Sequence, residues 1–163
     1  MYQYNHLEDY IRKFYSQLKI FRPSDLDFRR IAKDLNIKVF YWTHKSQALF
    51  LKGRAFIFLN MNLSFHQQYQ EFMHELCHIL FHAGDQMNMP PLFRVYQESK
   101  AKNFTLHACI PTFMLNDINL PRDINAATHV IQQTFNVEFD FAMSRLNLYI
   151  NNHCFMPSWN TAN

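Results

Sequence analysis

The stretch from Ser64 to about His82 constrains the fold more than any other part of the chain. Ser64 and Gln67 stand three residues apart as a capping box, with the glutamine able to reach back to the N–H of the cap. Phe72, Met73, Leu76 and Ile79 then recur at helical spacing, and Gly84 supplies a stop. A helix of this length with an apolar face must be covered by other elements. The rest of the chain is therefore expected to pack around it.

The same helix carries His74-Glu75-Leu76-Cys77-His78. Residues four apart lie on one face of a helix, about 6 Å from each other. His74 and His78 can therefore turn two imidazoles toward one ion, at the roughly 2.0–2.1 Å of a zinc–nitrogen bond. Glu75 sits about 100° further round, too far to be a natural ligand, but placed to take a proton from a water on the metal. Zinc acidifies such a water, making a nucleophile available near neutrality. Together these are the parts for metal-assisted amide hydrolysis. A helix whose two histidines are merely satisfied by hydrogen bonds is the plainer reading of the same residues.

A catalytic zinc needs a third protein ligand and one open position. His82 continues the four-residue spacing but lies about 12 Å along the axis from His74, so one ion cannot reach both. Its expected role is at the helix C-terminus, where a positive imidazole is favoured. Asp85 is a weaker candidate. Glu98 is the acidic residue of the next expected helix, and an antiparallel neighbour could bring it across the metal. On periodicity alone a solvated helix carboxylate is an equal reading.

Around this helix the chain reads as one unit, expected over residues 1–150, with 151–163 a frayed tail. Residues 1–36 look helical: Leu7, Tyr10, Ile11, Phe14 and Leu18 share one spacing. A second start follows at Pro23-Ser24-Asp25, with Ser24 as N-cap and Asn36 as stop. Residues 37–60 change character. Ile37–Trp42, Ala48–Lys52 and Ala55–Leu59 are short β-branched and aromatic runs, and Gly53-Arg54 is a tight connection. They predict a small antiparallel sheet of about three strands. After residues 64–82, helical periodicity returns over 93–150: Phe93 to Cys109 with Pro111 beyond, then Arg122–Phe135 and Phe139–Tyr149. The fold class is α+β.

Composition narrows the classes of function. Hydrophobic residues are 48% of the 163, which excludes a disordered polar chain. With 17 Phe the core is expected to be aromatic, and with 2 Gly there is no glycine-rich phosphate loop. Runs such as Ala55–Leu59 are far too short to cross a bilayer, and the opening MYQYNHLEDY has no secretory pattern. Three cysteines at wide spacing form no disulfide framework and fit a reducing, cytoplasmic setting. Residues 1–54 hold 11 Lys/Arg against 5 Asp/Glu. That basic third could steer an acidic partner or simply be a solvated face.

These residues resemble the ImmA/IrrE family of zinc metallopeptidases over most of 24–150. The family's downstream glutamate opens a segment of the form Glu-x-x-Ala-Asn-x-Phe-Ala, then an apolar stretch and a proline. Glu98, Ala101, Phe104 and Pro111 keep that register. Lys102, Thr105, Ala108, Cys109 and Cys77 depart from it without removing a ligand or the base. The resemblance implies a minimal gluzincin-like zincin with Zn2+ held by His74, His78 and Glu98, and Glu75 as catalytic base. Short members resemble anti-repressors of prophages and integrative elements. The resemblance thus implies a cytoplasmic, site-specific endopeptidase. Its expected protein substrate is a helix-turn-helix transcriptional repressor of the same element, cut to relieve repression. His107, Arg145 and Tyr149 are candidates for oxyanion stabilisation by residue type alone. Cys77 could make the site oxidation-sensitive, although a small buried apolar role is the simpler reading.

Two other functions fit less well. A non-cleaving repressor-binding module with a structural zinc would have no use for Glu75. A DNA-binding regulator is suggested by residues 24–36, which resemble the first half of a helix-turn-helix. The strand expected at Ile37–Trp42 leaves no room for a recognition helix, so direct nucleic-acid binding is not expected, and neither is a membrane.

Overall fold

A computed structural model describes residues 5–81 and 90–154. Seven helices and three strands follow in the order α1 (His6–Gln17), α2 (Phe28–Asp34), β1 (Lys38–Trp42), β2 (Gln47–Leu51), β3 (Arg54–Asn60), α3 (Phe65–Phe81), α4 (Pro91–Cys109), α5 (Thr112–Leu115), α6 (Ile124–Phe135) and α7 (Phe139–Cys154). The α+β class is as expected.

The helix ends are set by local chemistry. Asn5 and Glu8 close a capping box on α1, with both backbone–side-chain bonds at 2.9 Å. Ser64 and Gln67 do the same for α3: the Ser64 N–H donates to Gln67 Oε1 at 3.0 Å and the Gln67 N–H to Ser64 Oγ at 3.2 Å. Asn36 and Asn136 leave α2 and α6 with φ of 55° and 53°, a left-handed conformation that asparagine tolerates. The second helix starts later than expected. Pro23–Asp25 forms only a 3-10 turn, and Asp27 rather than Ser24 caps α2 by accepting from the Arg29 N–H. Helix α7 runs on to Cys154, past the frayed end expected at Asn151; residues 155–163, like His82, Gly84 and Asp85, lie outside the described residues.

The sheet departs from the expected all-antiparallel arrangement. Its order is β1-β3-β2, with β2 antiparallel and β1 parallel to β3. Lys52 (φ 48°) and Gly53 (φ 73°) make a two-residue turn, the kind whose twist matches a tight hairpin. That fixes β2 beside β3. Strand β3 carries the fully buried Ile57 and Leu59 and takes the centre, so β1 pairs along its other edge. The connection at residues 43–46 crosses over β3, and its Ser46 Oγ accepts from the Asn60 N–H at 3.1 Å.

The core lies between the sheet and the helices. Tyr69, Phe72, Met73 and Leu76 of α3 are buried, and Phe72 packs against Phe28 of α2 with ring centroids 5.3 Å apart. Ala101 and Ala108 are fully buried on α4, and such small residues let α3 and α4 approach closely. On the far side a polar link is buried with the core. Arg145 Nη2 donates to Thr112 Oγ1 at 2.7 Å, and Thr112 donates to Glu8 Oε1 at 2.6 Å, tying α7 to α5 and α1.

Candidate metal centre

Helix periodicity divides α3 into a core face and a functional face. With Tyr69, Phe72, Met73 and Leu76 turned inward, His74 and His78 flank α4, and Glu75 turns to the sheet. The two imidazoles meet with Nε2 atoms 3.2 Å apart. Glu98 comes from the second full turn of α4, on the flank beside the buried Gln97 and Ala101. Its Oε2 is 3.2 Å from His74 Nε2 and its Oε1 is 3.3 Å from His78 Nε2.

These three contacts outline a triangle fitted to a cation. Ligand atoms at the corners of a tetrahedron with arms of about 2.0 Å are about 3.3 Å apart. The observed edges match that spacing, and two imidazoles with a carboxylate form a donor set suited to zinc and its neighbours. Among the described residues, His74, His78 and Glu98 are the group of three or more such side chains that could hold a metal ion. The site is open on one side: His78 is 5% exposed, while the Glu98 side chain is 38% exposed.

Glu75 is 6% exposed. Burial pushes its pKa up to about 8, and the carboxylates of Glu71 and Glu98 push the same way. The Ala48 N–H of β2 opposes them by donating to Glu75 Oε2 at 2.7 Å, and Lys45 adds a weaker opposing effect. That hydrogen bond carries a second meaning. In an antiparallel pair, backbone groups alternate between facing the partner and facing away. Ala48 spends its N–H on Glu75 and not on β3, so its backbone faces the unpaired edge of β2. The free strand edge therefore runs beside Glu75 and the metal triangle. No sequence signal marks Ala48, because a backbone donor belongs to every residue but proline.

The three oxyanion candidates have other partners. Arg145 is fully buried, with Nε donating to Ile110 O at 3.1 Å besides its bond to Thr112. His107 Nδ1 lies 3.8 Å from Glu8 Oε1 in the same cluster. Burial and the Arg145 charge lower its pKa to about 4 against a smaller opposing effect of Glu8. The Tyr149 hydroxyl donates to Asn116 Oδ1 at 2.8 Å. Cys77 is buried and its thiol is pushed up to about 12, chiefly by burial. Burial of this kind disfavours the reactive thiolate and suits a packing role.

A helix presenting two histidines and a glutamate, crossed by a second helix presenting a carboxylate, belongs to the class of sites that could hold a metal ion. Comparison with known proteins agrees with that class. Residues 29–147 match the peptidase family described as the IrrE N-terminal-like domain, and the chain belongs to that family. It is 40% identical over 145 residues to the "Phage-like element PBSX protein XkdA" of Bacillus subtilis (strain 168), covering 89% of this chain and 73% of that protein. It is 38% identical over 148 residues to the "Uncharacterized protein YqaB" of the same organism, covering 91% and 86%.

Proposed function

We propose that this chain is a zinc-dependent, site-specific endopeptidase that cleaves a helix-turn-helix repressor of a prophage or integrative element. The observation that carries the reading is the triangle of His74, His78 and Glu98 with Glu75 beside it. Similarity to a phage-like element protein supports the setting. The buried, unbridged thiols of Cys77 and Cys109 support a reducing cytoplasm. Among the described residues no helix is long and apolar enough to cross a membrane.

In this reading His74, His78 and Glu98 hold the ion. Zinc, when bound, polarises the scissile carbonyl and acidifies a water. Glu75, whose burial favours the neutral acid, becomes a carboxylate base when a positive charge stands beside it. It takes the water's proton and delivers it to the leaving amine. The free edge of β2 offers backbone donors and acceptors to an extended segment of substrate, which adds as a further strand. That holds a peptide bond alongside Glu75.

The test is co-expression with the repressor encoded by the same element. The native chain should cut the repressor at one place. Glu75→Gln should keep its metal and leave the repressor whole. Cutting that persists in Glu75→Gln would remove the base from the mechanism. Binding without cutting by the native, metal-loaded chain would replace the peptidase reading with a non-cleaving module.

A further inference from the structure

The three-stranded sheet has two faces of different character. Val39, Ile57 and Leu59 lie on the face that meets the helices, and Ile57 and Leu59 are fully buried there. Strand alternation and the observed register put Phe40, Trp42, Leu49, Leu51, Phe56 and Phe58 on the opposite face. Phe40 is 46% exposed, Leu49 37% and Leu51 52%. A contiguous apolar face turned outward in this way signals a binding surface.

The rings are ordered. Phe40 lies within 24° of parallel to Phe56 and within 22° of parallel to Phe58, with centroids 6.3 and 5.3 Å away. Trp42 packs against Phe58 at 5.0 Å. The three phenylalanines thus form one aromatic stack across β1 and β3, in which Phe40 is the exposed ring. Two cations stand on the same face at one end: Lys38 pairs in register with Phe56, and Arg54 precedes Phe56 by two residues. With Asn36 and Ala55 they line a concavity of about 270 Å³. The charge is one-sided. Between Asp34 and Glu71 the sequence holds Lys38, Lys45, Lys52 and Arg54 and no acidic residue.

We propose that this outer sheet face binds single-stranded nucleic acid, with a base stacked on the exposed end of the ring stack at Phe40 and backbone phosphates taken by Lys38 and Arg54. A base of any sequence offers a π face to the Phe40 ring, and the phosphates answer the cations. By strand spacing and rise the face measures about 300 Å², enough for two or three bases on a sheet. It is too small for a stable face-to-face dimer, which needs about 800 Å² per partner. Two copies would also bring Lys38 and Arg54 against their own kind. An acidic protein segment would satisfy the cations and leave the rings without a matching group. The mode differs from duplex reading, which would need the recognition helix that β1 replaces.

The test is fluorescence anisotropy of the full chain with labelled oligothymidylate and oligouridylate of about a dozen nucleotides, beside a duplex of equal length. Both single strands should bind, more tightly than the duplex. The order of the two assigns the sugar, and either order supports the proposal. Phe40→Leu keeps an apolar side chain at an exposed position but removes the ring, and should weaken binding about tenfold. Lys38→Gln should lower the slope of log affinity against log salt by about 0.7. Absence of single-strand binding at low salt overturns the proposal, as does equal affinity in Phe40→Leu. Binding of a polyglutamate peptide that needs Phe40, without binding of either oligonucleotide, would assign the face to an acidic protein instead.

Discussion

Glu75 and Glu98 are both carboxylates, yet the structure sets them different tasks, and substitution should separate them. Glu75→Gln preserves shape and the triangle, so metal content should be unchanged while hydrolysis falls on the order of 10²–10⁴-fold. Glu98→Ala removes a corner of the triangle, so metal affinity itself should fall. Elemental analysis beside a cleavage assay distinguishes the two. His107 makes a prediction about acid. Its folded pKa of about 4 lies below the ordinary value near 6.5. Between those pH values the unfolded chain binds a proton that the folded chain refuses, so acidification favours unfolding. The loss is at most about 1.4 kcal/mol per pH unit across that window, and none arises above it. His107→Gln should flatten the difference in denaturant stability between pH 7 and pH 5. An unchanged difference would mean that the imidazole is protonated in the fold.

At the scale of elements, α3 depends on its cap. Ser64→Ala removes the acceptor for the Gln67 N–H and should cost about 1 kcal/mol. For a chain of this size that lowers Tm by about 2–4 °C, which a thermal melt would read. The cap was legible in sequence because it is local: two residues three apart suffice. His74, Glu75 and His78 were legible for the same reason, being one turn of one helix. The place of Glu98 beside them was not, because it depends on how α4 crosses α3. Periodicity left it equal to a solvated carboxylate, and only the family segment around Ala101 and Phe104 favoured it. The order of the sheet was illegible too. Alternation tells which residues share a face but not which strand takes the centre, so the parallel pairing of β1 with β3 emerged only with the buried Ile57 and Leu59 in place. Helix α5, four residues long, is too short to show a period.

Buried polar groups tie α1 to α7 across the described molecule. Glu8 accepts from Thr112, which accepts from Arg145. Leaving a buried guanidinium without a nearby carboxylate costs about 3–5 kcal/mol. Glu8→Ala should therefore destabilise the whole fold by that order, whereas Arg12→Ala, at an exposed pair with Asp9, should change stability by less than about 1 kcal/mol. Equal effects in urea denaturation would mean that the link contributes nothing beyond an ordinary surface pair. Arg145 also donates from Nε to Ile110 O at the C-terminal cap of α4, the helix that carries Glu98, so the frame and the site share a helix.

Hydrolysis by this site needs one ion at one triangle, and metal content measures that directly. Elemental analysis of the native chain should find about one zinc per molecule, kept in Glu75→Gln and lost in His74→Ala. A folded native chain that takes up no divalent metal, or a His74→Ala chain that holds as much zinc as the native one, would contradict it.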